Sequence, residues 1–299
     1  MTFFLLLLNQ VILPLTFTVL FHHSEVKSRS NFILQFLFTG SFVLFALVIG
    51  SQSWTSIFLG YIIGITFLVV SIKKIQELPK TWSFKLGDNW KQISSVIVQI
   101  LLTVLFLPLS IYGISGYFIE DDNSAVNLTY PLQDGLYIVG HGGSNPIINY
   151  HNVSESQTYA LDILKLNFIG IRTWGMYPKQ LERYAIYEDN LYSPCDGTVL
   201  KVDKGYQDME PPERGEGHPA GNHVVIECQN AEVTLAHMKQ SSIVVDSLDN
   251  VEVGDLLGKV GNSGNTSEPH LHIHAEKDGK GIPIEFDGRF LVRNSLVWK

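Results

Sequence analysis

Along this chain apolar residues first crowd together and only later begin to alternate. Four runs, 3–21, 32–49, 54–72 and 93–117, contain no formal charge. Each is close to the roughly 20 residues a helix needs to cross the hydrocarbon core of a bilayer. A removed signal peptide would account for the first run only, and that run has neither a basic leader nor a clear small-residue cleavage site. Four buried soluble helices would need a core larger than this chain can build. The pattern therefore predicts an all-α transmembrane bundle of four helices over residues 1–118.

Past residue 118 the texture changes. The stretch 119–129 is short and polar and reads as a linker. From Tyr130 onward, β-rich runs at 197–202, 223–227, 233–236 and 271–275 alternate with turn signals such as Asp134-Gly135, Asp196-Gly197, Gly221-Asn222 and Asp278-Gly279. Short strands at close turn spacing predict an all-β domain over 130–299. Within it, 177–187 is expected to form a short helix. The Pro/Gly/charge-rich stretch 207–221 is expected to be a long surface loop.

Charge separates the halves. The whole chain has a formal net charge of −8 and a mean hydropathy of +0.14. Residues 1–118 hold 7 basic and 3 acidic side chains, whereas 119–299 hold 14 and 26. The aliphatic and aromatic content excludes disorder, and an acidic polar half disfavours nucleic acid. The loop after the first run carries Lys27 and Arg29, and the loop after the third carries Lys73, Lys74, Lys80, Lys85 and Lys91. Basic loops stay cytoplasmic, so a four-helix path leaves the N-terminus and everything after Tyr117 outside. Asn9, Gln10, Gln35 and Gln99 are expected to hydrogen-bond between helices. A transport path would require an intramembrane charge, so the first half reads as a multi-pass anchor, or as an assembly surface for a membrane-protein partner. Cys195 and Cys228 both fall outside the cell in this topology, where a disulfide fits the redox compartment; two separately buried thiols fit the sequence as well.

Eight of the ten histidines lie after residue 118. Three of them alternate in Pro269-His270-Leu271-His272-Ile273-His274. On a strand, alternate side chains share a face, so three imidazoles are expected to look into one cleft above an apolar core. Neutral imidazole is a common zinc ligand. A catalytic zinc commonly takes three protein ligands and keeps one position open, so the remaining ligands must come from elsewhere. Asp162 is a carboxylate inside an apolar run, a position that is costly unless paired or metal-bound. His151, His141 and His237 are further candidates.

Four pieces resemble the lysostaphin-type, LytM-like zinc endopeptidases. Ser193-Pro194-Cys195-Asp196-Gly197-Thr198-Val199 is similar to the family's "SPxDGxV". Gly221-Asn222-His223-Val224-Val225-Ile226 is similar to "GNxVxI", and Leu235-Ala236-His237 to "YAH". Val253-Gly254-Asp255, followed by the stretch from Gly258 to His272 (GKVGNSGNTSEPHLH), is similar to the family's closing signature. The resemblance spans roughly 130–284. It implies an antiparallel β-sheet or β-sandwich of the duplicated hybrid-motif type and one Zn²⁺. Residue by residue, it implies His151, Asp162 and His272 as ligands, with His237 and His270 in catalysis.

One departure stands out. The family's first motif places His four residues before the Asp, where this chain has Thr158. The sequence is similar instead to members reading "NYH…Q.YALD", with the His on a preceding strand. That similarity points to His151 as ligand, with His141 as the competitor. His274 lies one step beyond the pattern, beside the metal or lining the cleft. The implied activity is a membrane-anchored zinc metalloendopeptidase that hydrolyses peptidoglycan cross-links outside the cell, with wall peptide and lipid bilayer as partners and no nucleic acid. The alternative is a catalytically inactive relative that binds wall peptide or regulates another hydrolase.

Overall fold

Inside hydrocarbon, an apolar run can satisfy its own backbone only as helix. In the computed structural model, which describes residues 2–84, 87–119 and 124–299, all four runs are helical. The chain divides into two compact units, Met1–Ile114 and Ser115–Lys299.

In the first unit, α1 (Thr2–Leu7) passes through a π-helical turn (Leu8–Ile12) into α2 (Leu13–His23). Pro14 accounts for the turn: it lacks an N–H, and its ring crowds the carbonyl one turn back. Then follow α3 (Arg29–Val48), α4 (Ile57–Gln76) and α5 (Trp90–Ser115). The continuous segment Phe4–His23, α3, α4 and α5 are each long and apolar enough to cross a membrane. Two bounds differ from the apolar runs. Trp54 lies in a 3₁₀ turn (Gln52–Trp54), because Ser56 caps α4 by accepting from the Phe58 amide. At the other end α4 continues through Lys73 and Lys74, since a lysine stem packs like an aliphatic chain. Buried Lys74 donates from Nζ to the Ser24 carbonyl at 2.6 Å. Arg29 Nε donates to the Pro79 carbonyl at 3.2 Å. These contacts hold the first and third loops at the same end of the unit. Lys85 lies outside the described residues.

Of the polar residues in the runs, Gln10 meets Thr55 in the turn before α4 at 3.2 Å, and Gln35 of α3 accepts from Ser24 just after α2, so both reach beyond their own helix. Gln99 instead donates to Ser95 within α5, and Asn9 is exposed. Phe21, Phe32, Ile63, Phe67 and Val70 form the interior of the unit.

The second unit is built mainly from antiparallel sheet. Its main sheet runs β14 (Leu296–Trp298), β2 (Leu136–His141), β3 (Leu161–Leu166), β10 (Leu271–Lys277), β7 (Ala231–Met238), β6 (Asn222–Cys228), β5 (Gly197–Asp203) and β8 (Asn250–Val251), with β11 (Lys280–Ile282) also paired to β10. A small sheet joins β1 (Val126–Leu128), β12 (Ile284–Phe286) and β13 (Arg289–Phe290), and β4 (Asn190–Tyr192) pairs with β9 (Leu256–Lys259). Alternation along β10 sends Leu271, Ile273 and Ala275 into the core, where they meet Val233 and Leu235 of β7 and Ile163 of β3. His272 and His274 take the opposite face and line a cleft. Cys195 and Cys228, both buried, form a disulfide with their Cα atoms 5.9 Å apart, tying the approach to β5 to the end of β6.

Two local expectations need correction. Part of the 119–129 linker, Val126–Leu128, is β1, which pairs in parallel with β12 and buries Val126 and Leu128; residues 120–123 lie outside the described residues. The helix expected at 177–187 shrinks to a single 3₁₀ turn, Leu181–Arg183. Pro178 follows a left-handed Tyr177 (φ 51°), and Tyr184 bridges back to Thr173, so the segment folds on itself before a helix can propagate. The stretch 207–221 contains no strand beyond an isolated bridge at Asp208 and is loop.

Candidate metal centre

Sheet register places the polar side chains. His272 of β10 lies opposite Asp162 of β3 on one side and Ala236 of β7 on the other. Directly opposed residues share a face, so Asp162 and His272 emerge side by side, and the small Ala236 leaves open space beside them. His151 arrives from outside the sheet, on a 3₁₀ turn (Tyr150–Val153) rather than on a strand. Asn149 caps that turn, its side chain accepting from the His151 amide. The Asn149 amide also donates to the Gly143 and Ala160 carbonyls, which fixes the turn against β3.

His151 Nε2 lies 3.0 Å from both Asp162 oxygens, and His272 Nδ1 lies 3.0 Å from Asp162 Oδ1. One ligand atom from each of His151, Asp162 and His272 falls within 4.8 Å of the others, and all three residues are buried. Two imidazole nitrogens and a carboxylate oxygen that converge in this way form a donor set suited to zinc, which binds nitrogen and oxygen at about 2.0–2.2 Å. The residues present therefore fit the metal that the sequence implies.

His237 and His270 flank this group. At His237 the ladder between β6 and β7 slips, so that Ala236 and His237 together oppose His223. The extra residue is a β-bulge, and His237 adopts a left-handed φ of 60°. The bulge turns His237 toward the cleft, which it lines with Ala236, instead of into the core. Its Nδ1 donates to the Ser263 carbonyl at 2.9 Å, and that of His270 donates to the Glu268 carbonyl at 2.8 Å. A carbonyl only accepts, so in the neutral rings both protons sit on Nδ1 and both Nε2 atoms keep a lone pair. His270 Nε2 lies 3.4 Å from Asp162 Oδ1, and the His237 ring centroid is 4.8 Å from that of His270.

Burial pushes the Asp162 carboxyl up, but the charges and hydrogen bonds of His151 and His270 outweigh it and hold Asp162 well below the usual carboxylate range. Burial, then repulsion from His270 and His272, holds His237 well below the usual imidazole range. For His270, burial acts downward, but attraction to Asp162 wins and raises it.

His141 ends β2 opposite Asp162, yet it stands apart from the converging group. Its Nδ1 accepts from Arg293 Nη2 at 2.9 Å, and burial pulls the ring down to about 3. Two further contacts surround the group. His274 Nδ1 lies 3.1 Å from His272 Nε2, a neighbour that the alternation in 270–274 already implied. Arg172 forms a buried ion pair with Glu268, beside His270; nothing in local spacing could announce a pair 96 residues apart. A cleft of about 510 Å³ opens over the group, bounded by Tyr150, the 217–221 loop, His223 and Lys201.

Residues 183–284 match Peptidase family M23. The matched stretch contains His237, His270 and His272 but begins after His151 and Asp162, so the fold, not the family match, brings those two in. Among solved structures, the chain is similar to the SpoIIQ–SpoIIIAH pore-forming complex at 16% identity, covering 52% of this chain and 87% of that one, with a TM-score of 0.34. It is similar to pseudoalterin, an M23 metalloprotease from the deep sea, at 15% identity over 58% and 99% of the two chains, with a TM-score of 0.36. The catalytic domain of lysostaphin from Staphylococcus simulans is 17% identical over 37% and 84%, with a TM-score of 0.24. Following four helices apolar enough to cross a membrane, the chain carries an antiparallel β-sheet domain whose residues 183–284 match Peptidase family M23.

Proposed function

We propose that this domain is a zinc metalloendopeptidase that hydrolyses peptide bonds of peptidoglycan cross-links. The observation that carries the proposal is the convergence of His151, Asp162 and His272 beneath an open cleft, with the Nε2 atoms of His237 and His270 beside them. Zinc held there would polarise a carbonyl and bring the pKa of a water toward about 7. His151, Asp162 and His272 hold the ion. His237 and His270, each fixed through Nδ1 on a backbone carbonyl, keep Nε2 free to take a proton from the attacking water, to hydrogen-bond the developing oxyanion, or to return a proton to the leaving amine. Because all three ligand side chains are present and mutually oriented, nothing in this site favours the inactive, purely binding alternative.

The four helices serve as anchor. Their two basic loops meet at one end of the unit, and placing that end in the cytoplasm sets the N-terminus and the peptidase domain outside, where wall peptide lies. Tethering beside its substrate raises the enzyme's effective concentration. The test uses the full chain in detergent. One zinc per chain and cleaved muropeptides are expected; a folded, zinc-free preparation that leaves muropeptides intact overturns the proposal.

A further inference from the structure

The His272–His274 contact has a chemical consequence that depends on the zinc reading above. Both rings are buried on one face of β10, and their nitrogens lie 3.1 Å apart, Nε2 of His272 against Nδ1 of His274. The opposite nitrogen of His272, Nδ1, faces Asp162 and the converging ligand atoms. An imidazole that gives its Nδ1 lone pair to a metal must carry its proton on Nε2. That proton then needs an acceptor, and His274 Nδ1 stands at hydrogen-bond distance. We infer that His274 is a positioning residue: it accepts the Nε2 proton of His272, and so fixes both the tautomer and the ring plane of a metal ligand.

The contact also reverses with loading. Without metal, the Asp162 carboxylate can only accept, so the proton of His272 lies on Nδ1, and His274 donates from Nδ1 to His272 Nε2. With zinc held by His272 Nδ1, the Nδ1 proton would leave to solvent, the shared proton would sit on His272 Nε2, and His274 would take a proton from solvent on its Nε2. Two protons are bound to the pair in each state, so the exchange balances. In the loaded state the Nε2–H of His274 belongs to a residue that lines the cleft.

Zinc affinity, measured on the full chain by competition with a chelator, tests the inference. His274→Phe keeps a flat ring but removes the acceptor, and should weaken zinc about ten- to a hundredfold. His274→Asn restores an acceptor oxygen near the place of Nδ1 and should recover most of that loss. An unchanged affinity in His274→Phe, or equal losses in both variants, overturns the inference and leaves the zinc reading standing. Nitrogen-15 histidine spectra of the wild-type chain decide the matter even if His274→Phe does not fold. Both protons should be on Nδ1 without metal and on Nε2 with zinc. A metal-free His274 protonated on Nε2, or a zinc-loaded His272 protonated on Nδ1, rules the pairing out. A wild-type chain that binds no zinc defeats the functional proposal instead, while the metal-free spectrum still reads the direction of the hydrogen bond.

Discussion

The two units differ in whether buried polar side chains gather at one point. Within the helices, four buried hydroxyls find their own backbone: Thr18 donates to the Pro14 carbonyl, Ser71 to Phe67, Thr103 to Gln99 and Ser110 to Phe106, each at 2.7 Å. Each of these four is satisfied one turn away and asks nothing of a distant residue. In the sheet domain, His151, Asp162, His272 and His274 meet one another instead. They come from positions 151, 162, 272 and 274, and only the tertiary fold makes them neighbours. Burial of polarity alone thus says little about function. What separates the halves is whether the buried groups close on the backbone or converge on a shared point.

The largest expected effects test that convergence. His272→Ala and Asp162→Asn should each abolish zinc retention and bring muropeptide hydrolysis to the detection limit, with far-UV circular dichroism unchanged. Zinc should also leave the wild-type chain on acidification, because protons compete for the ligand nitrogens, and the release should fall below the ordinary imidazole range because burial holds His272 below it. Full zinc content in either variant would show that the cluster is a hydrogen-bonded core and not a metal centre.

Next come the flanking imidazoles. His237→Ala and His270→Ala should keep zinc and lower hydrolysis about 10²- to 10⁴-fold, the usual worth of a positioned acid or base. If either variant loses the metal as well, the division into three ligands and two catalytic groups is wrong, and the group must be redrawn around the residue concerned.

Much of this was legible in the sequence, and the reasons are local. Uncharged runs long enough for a bilayer announce helices, and the alternation of His270, Leu271, His272, Ile273 and His274 announces a strand with a polar face. Asp162 stands out because its neighbours are apolar. What escaped depended on longer-range or irregular geometry. A one-residue bulge decides whether His237 faces core or cleft, and no spacing rule encodes it. The same holds for the turn that carries His151 to Asp162 and for the Arg293 contact that draws His141 away. The missing helix at 177–187 is a failure of the opposite kind, where helical composition yields to Pro178 and to pairing between Thr173 and Tyr184.

A smaller effect is expected where the sheet domain is stapled. Replacing Cys195 and Cys228 together by Ala opens a link across 33 residues of sequence. It should cost about 2–4 kcal/mol in denaturant unfolding of the peptidase domain. The disulfide lies on the core side of the sheet and the ligands on the other, so the surviving folded fraction should hold its zinc unchanged. Loss of zinc at denaturant concentrations that leave the domain folded would tie the staple to the site.

The smallest effect belongs to the helices, and it closes the comparison from the other side. Thr18→Val is nearly isosteric and removes a hydroxyl whose partner carbonyl, one turn back, already belongs to the helix ladder. No acceptor is stranded, so the cost should stay within about 1 kcal/mol in thermal unfolding of the full chain, with zinc content and hydrolysis unaltered. The same deletion aimed at Asp162 strips the converging imidazoles of their shared partner. If Thr18→Val or Ser71→Ala instead impaired hydrolysis in a chain that remained folded, the helical hydroxyls would be coupled to the chemistry, and the helices would have to be read as part of the catalytic device and not as its tether.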